Sequence, residues 1–146
     1  MNINMVDKIF MEKKMDALSE YISKLERLIA PFGIKEIRSD EMRMDAVERN
    51  FQLAVDQMVD INTHIIKSED FGAVDDLQST FKMLGDHNVL EKKFAYKIAP
   101  IVSARNMLVH RYEKLDKDLF LTNLKNNFSD FKNYVVQIGA YISRAK

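Results

Sequence analysis

Five polar side chains capable of chemistry crowd into eight residues of this chain, in the run Arg105-Asn106-Met107-Leu108-Val109-His110-Arg111-Tyr112. An imidazole exchanges a proton near neutrality, its unperturbed pKa being about 6.5. A guanidinium offers a planar fork that grips two phosphate or carboxylate oxygens at once. Side by side they suit proton transfer at an anionic centre. On an ideal helix Asn106 and His110 are neighbours at i, i+4, and Arg105 and Tyr112 nearly superpose. Arg105 and His110, however, point about 140° apart. Either the arginine bends round, or the helix is distorted, or a second copy of the chain completes the site. A plainer reading competes: Arg and His gather at helix C-termini simply because cations complement the dipole there.

The surrounding charge bears on that choice. The chain of 146 residues is neutral, with 22 basic and 22 acidic side chains, which argues against a protein that coats nucleic acid by bulk charge. Yet Lys92, Lys93, Lys97, Arg105, Arg111 and Lys114 oppose only Glu91 and Glu113 between residues 89 and 115, whereas Glu69, Asp70, Asp75, Asp76 and Asp86 oppose Lys82 just before it. A basic segment around a histidine suits an anionic polymer, and makes Lys97, Arg111 and Lys114 candidate substrate contacts. Asp60 can reach the cluster from a preceding helix, although its place opposite the main apolar stripe equally suits a solvated surface. The other histidines, His64 and His87, stand alone and read as surface residues. Cysteine is absent, and no paired histidines or glycine-rich phosphate loop occurs, so neither a zinc site nor a bound cofactor is expected. No signal peptide and no apolar run of bilayer length is visible, which together with the absence of cysteine suits a cytoplasmic protein and no membrane partner.

The positioning elements are helical throughout. Two prolines and four glycines are few, and the apolar residues recur at alternating steps of four and three, the signature of a helix-packing seam. The first helix runs over about 6–30 (Met11, Met15, Leu18, Ile22, Leu25, Ile29) and ends at Pro31 and Gly33. The second starts near Ser39, with Val47, Phe51, Ala54, Met58, Ile61 and Ile65 on one stripe and Val55, Val59 and Ile66 beside it. So wide an arc is contacted from more than one side: the helix is central, or it serves both the core and a dimer interface. A short third helix covers about 73–84, before a turn at Gly85-Asp86-His87-Asn88. The fourth covers about 89–112 with a kink at Pro100, and the fifth begins near Asp116 or Asp118 and continues past Ile142, with Gly139 admitting a close helix contact. The expected architecture is all-α, an antiparallel bundle of about five helices forming one domain over 1–146.

Arg105, Asn106, His110 and Tyr112 together resemble the signature of HEPN-domain proteins of the HepT type, an Arg followed after four residues by His, then x-Tyr. Glu48-Arg49-Asn50-Phe51-Gln52-Leu53-Ala54 and Asp60-Ile61-Asn62-Thr63-His64 are similar to that family's second helix, and Phe81-Lys82-Met83-Leu84-Gly85 to the segment before its motif helix. The resemblance covers nearly the whole chain. It implies an endoribonuclease toxin that needs no metal, in which the ribose 2′-OH attacks the adjacent phosphate. Arg105 would clamp the phosphate, His110 transfer the proton, and Asn106 orient His110 or the phosphate. It implies a homodimer with two motifs facing one cleft, an RNA substrate, and a minimal nucleotidyltransferase antitoxin that transfers AMP to Tyr112. The other reading it permits is a non-catalytic, nucleotide-binding partner subunit of such a nucleotidyltransferase.

Overall fold

The computed structural model describes residues 5–110 and 115–144, with side chains from residue 8 onward. Among the described residues there are eight α-helices and no strand: α1 Met5–Ile29, α2 Ile34–Ser39, α3 Glu41–Ser68, α4 Leu77–Asp86, α5 Lys92–Ile98, α6 Ile101–His110, α7 Lys117–Asn126 and α8 Ser129–Arg144. The all-helical class is as the periodicity predicts, but the segmentation is finer, and each extra break has a local cause.

The predicted fourth helix is two helices, not one kinked rod. Pro100 has no N–H to offer the carbonyl of Tyr96, and its ring crowds that carbonyl. Helix α5 therefore closes with Ala99 N–H donating to Ala95 O at 3.1 Å, and α6 restarts beyond it with Ser103 N–H donating to Pro100 O at 3.0 Å. The predicted fifth helix divides at Asn127. Asn126 and Asn127 are poor helix formers, and the Asn127 side chain donates to Asn123 O at 3.0 Å, competing locally with the helix ladder. The chain also forms α2 where a loop is expected; Ile37, fully buried, anchors it. Helix α4 starts later than predicted, because the Asp76 carboxylate caps it by accepting from Ser79 N–H at 2.7 Å. It runs on through Gly85, whose added Cβ would sit 2.6 Å from Ala95 Cβ. Gly85 thus belongs to the α4–α5 packing contact, not to a turn. Gly139, expected to admit a close contact, has open space around it.

Helix α3 is the centre of the bundle. Both its stripes are buried within this one chain, including Phe51, Ala54, Val55, Met58, Val59, Ile61, Ile65 and Ile66, under α1, α2, α4 and α6. The breadth of its apolar arc is therefore accounted for by intramolecular packing and does not argue for a dimer interface. A polar knot joins three helices inside that core. Asn62 on α3 donates to Thr80 Oγ1 on α4 at 3.1 Å. The Tyr134 hydroxyl on α8 lies 2.6 Å from Asn62 Oδ1 and 3.1 Å from Met58 O, donating between them. All three residues are buried, so the hydrogen bonds hold a fixed register rather than merely decorating a surface.

Burial pushes the Tyr134 phenol well above the ordinary value of 10.0. The group is thus neutral in the fold at pH values where the unfolded chain begins to ionise. Its contribution to stability is complete below about pH 10 and is lost as pH rises beyond that, when the unfolded phenol sheds its proton. Tyr134→Phe is expected to cost about 1–3 kcal/mol in urea denaturation at neutral pH, the price of stranding Asn62 Oδ1. It is also expected to make the alkaline fall in stability shallower than in the wild type.

Candidate functional site

Helix α6, set free of α5 by Pro100, presents two different faces. Ile101, Ala104 and Met107 look into an apolar cavity of about 570 Å³ shared with Phe120 of α7 and Phe131 of α8. Val102 and Arg105 look the other way, into a groove of about 630 Å³ whose far wall is α3, with Asp56, Asp60 and His64 along it.

Arg105 is held by two side-chain partners. Its Nε–H donates to Asp56 Oδ1 at 2.8 Å, and Nη1 donates to Asn106 Oδ1 at 3.2 Å. The side chains of Arg105 and Asp56 are 22% and 34% exposed, so the pair is partly screened but still wet. Those two bonds use two of the five N–H donors of a guanidinium. They tie the guanidinium to α3 through Nε and to the next side chain through Nη1, at the edge of the groove. Asn106 thus accepts from Arg105, whereas the resemblance has it orienting His110 or the phosphate.

Asp56 is the partner of Arg105 that sequence reading misses. It lies 49 positions from Arg105 and belongs to no motif. The one available signal is its spacing: Asp56 and Asp60 are an i, i+4 pair on the polar face of α3. Asp60, the expected reach from that helix, does line the same groove. Its recorded partner is Lys14 of α1, at 2.9 Å.

Not every candidate comes together. His110 is the last residue of α6 and is exposed, and it is not among the side chains lining the Arg105 groove. The regular helix between them keeps the separation of about 140° expected from their spacing. Lys97 lies away from this groove, at the rim of the apolar cavity, with Nζ 3.0 Å from Asp130 Oδ1. Arg111, Tyr112 and Lys114 lie outside the described residues. The basic segment is locally offset too. Of its described cations, Lys92, Lys97 and Arg105 each have a carboxylate within 4 Å, from Asp86, Asp130 and Asp56. Of the other histidines, His87 is exposed, as expected, and stacks on Phe71, whereas His64 is half-buried and stacks on Phe10. Among the described residues no group of three or more His, Asp or Glu side chains is arranged to hold a metal ion.

An all-helical bundle with an Arg-x4-His helix end is a recurrent protein class, and comparison with known proteins makes the class definite. Residues 18–138 match the family model described as Ribonuclease HepT-like, and the chain belongs to that family. It is 25% identical over 137 residues to the tRNA nuclease HepT of Aphanizomenon flos-aquae, covering 94% of this chain and 92% of that one. It is 24% identical over 105 residues to the mRNA nuclease HepT of Shewanella oneidensis, covering 72% and 79%. Among solved structures, the fold is similar to a tri-AMPylated Shewanella oneidensis HEPN toxin in complex with an MNT antitoxin. The TM-score there is 0.80 at 21% identity, over 89% of this chain and 96% of that one. A toxin–antitoxin structure with AMP-PNP gives a TM-score of 0.81 at 20% identity, over 89% and 97%.

Asp56→Ala should release the guanidinium. Nitrogen-15 NMR of Arg105 is expected to lose its hydrogen-bonded Nε–H signal, and a double-mutant cycle with Arg105→Ala should return a coupling of only about 0.2–1 kcal/mol, the range of partly exposed ion pairs.

Proposed function

We propose that this chain is an endoribonuclease toxin of a toxin–antitoxin pair and cuts RNA without a metal. The observation that carries the reading is Arg105, held by Asp56 and Asn106 in the lining of a groove. Membership of a ribonuclease family supports it. In the reaction, the ribose O2′ forms a bond to the adjacent phosphorus and the P–O5′ bond breaks. His110 takes the 2′ proton, and the leaving 5′ oxygen collects a proton from a protonated imidazole. The products are a 2′,3′-cyclic phosphate and a 5′-hydroxyl. Arg105 grips the non-bridging oxygens, where charge grows toward the transition state. Arg111 and Lys114 serve the flanking phosphates.

The separation of Arg105 and His110 on α6 supports a homodimer. One chain directs its arginine into the α3 groove and its histidine elsewhere, so a two-fold arrangement of two α6 helices lets each copy supply what the other lacks. A second imidazole then also answers the need for an acid opposite the base. The chain acts as one domain over its length.

Control in this reading is covalent. A minimal nucleotidyltransferase antitoxin transfers AMP to Tyr112, two residues beyond His110, adding a negative phosphodiester and a nucleoside where RNA must enter. Complexes of HEPN toxins with MNT antitoxins among the similar folds support that partner. A non-catalytic partner subunit is the reading left if pure protein cuts no RNA.

The proposal is tested on a defined RNA. His110→Ala is expected to lower kcat about 10²–10⁴-fold, the usual contribution of a positioned proton-transfer group, with circular dichroism unchanged. Arg105→Lys should fail too, because it keeps the charge but loses the fork. Full activity in His110→Ala would end the catalytic assignment. After incubation with the antitoxin and ATP, mass spectrometry should place AMP on Tyr112, and addition elsewhere with Tyr112→Phe still modified would remove that residue's role.

A further inference from the structure

The groove that receives Arg105 continues along α3 to an aromatic stack outside the sequence motif. Phe10, 36% exposed near the start of α1, lies against the His64 imidazole with ring centroids 4.4 Å apart and planes inclined by 29°. Both rings line the groove, as do Lys14 and Lys67. Lys14 Nζ sits 5.5 Å from the Phe10 ring centroid while bonded to Asp60. The groove therefore has a cationic clamp at one end and, at the other, an aromatic platform with ammonium groups beside it.

The spacing of the two ends is set by α3. Asp56, which holds Arg105, and His64, which stacks on Phe10, are eight residues apart. Both line the groove, and they lie about two turns apart along the helix axis, a distance of about 12 Å. At the ~3.4 Å rise of a stacked strand, that is on the order of three nucleotides. Groups that bind a single strand combine cations that follow the backbone with aromatic faces that take bases, and both occur here. The carboxylates do not close the groove to an anion, since Asp56 and Asp60 are each engaged by a cation.

We infer that the Phe10–His64 stack is a nucleobase subsite. It would hold an unpaired base of a single-stranded RNA a few nucleotides from the phosphate at Arg105. This rests on the reading of the chain as an RNA-cleaving protein, and it adds a preference for unpaired RNA and a minimum length of strand. The base packs against the exposed part of Phe10, with Lys14 and Lys67 beside it. Asp56, His64 and Arg105 fix the register between base and phosphate.

The test uses the full chain carrying His110→Ala, so that RNA is bound without being cut. Single-stranded oligonucleotides carry 2-aminopurine at successive positions, and stacking on an aromatic ring quenches its fluorescence. Strong quenching is expected at one position or two adjacent ones, and none with the same sequence as a duplex. Adding Phe10→Ala should abolish the quenching and weaken binding roughly 5- to 150-fold, the range spanned by the loss of one base stack. Phe10→Trp should restore both, and circular dichroism of each variant confirms that the fold survives. Quenching that persists in Phe10→Ala overturns the subsite, as does unchanged affinity or the absence of any RNA binding. The two readings separate cleanly. Phe10-dependent quenching with no cleavage by the wild type removes the nuclease reading alone, whereas cleavage with Phe10-independent quenching removes the subsite alone.

Discussion

The structure depends on the burial of one long helix. Helix α3 spans 28 residues and is apolar over so wide an arc that no single neighbour can cover it. Burying its side chains, at about 25 cal/mol per Å² of apolar surface removed from water, draws α1, α2, α4 and α6 around it. The remaining polar strip is forced to one seam. That seam holds Asp56, Asp60 and Lys67, and it faces the groove. The site therefore sits where the central helix runs out of apolar surface. The buried knot of Asn62, Thr80 and Tyr134 then fixes the register in which α4 and α8 dock.

A second constraint aims the chemistry. Without Pro100, α5 and α6 would be one rod, and the direction of Arg105 would be dictated by packing around Phe94 and Ile98. The break lets α6 pack on its own, with Ile101 and Met107 toward the α7–α8 cavity and Arg105 toward α3. The arginine then owes its orientation to two partners. Asn106 is adjacent in sequence, and Asp56 is supplied by the helix that organises everything else. Coupling Arg105 to the core in this way makes its orientation a property of the fold rather than of a loop.

Much of this was legible in the sequence, for identifiable reasons. Stripes at steps of four and three arise wherever a helix faces a core, so the stripes of α1 and α3 mark the inward residues correctly: Met11, Leu18, Val47, Phe51 and Ile65 are all buried. The divisions at Pro100 and Asn127 were harder to see, because the apolar period runs through each break unchanged, and only the local chemistry of proline and asparagine marks it. Arg105, Asn106 and His110 stand out as a dense polar run on one helix. Asp56 does not, since an ion pair across 49 residues leaves no periodic trace. Lys97 stands in the same basic segment as Arg105, yet the break at Pro100 turns it to the other side of α6, beside Asp130. Charge summed along a sequence says nothing about direction in space, and here the fold sends neighbouring cations to separate surfaces.

The central claim is that a clamped phosphate and a proton-transferring imidazole suffice for cleavage, with the substrate's own 2′-hydroxyl as nucleophile. The most direct measurement is the chemistry of the new ends when pure protein cuts a defined RNA in excess EDTA. The account predicts undiminished cleavage, with 2′,3′-cyclic phosphate and 5′-hydroxyl termini, and no cutting next to a 2′-deoxy nucleotide. Cleavage that EDTA abolishes, or that leaves 3′-hydroxyl and 5′-phosphate ends, would mean a metal-activated water is the nucleophile and would contradict it.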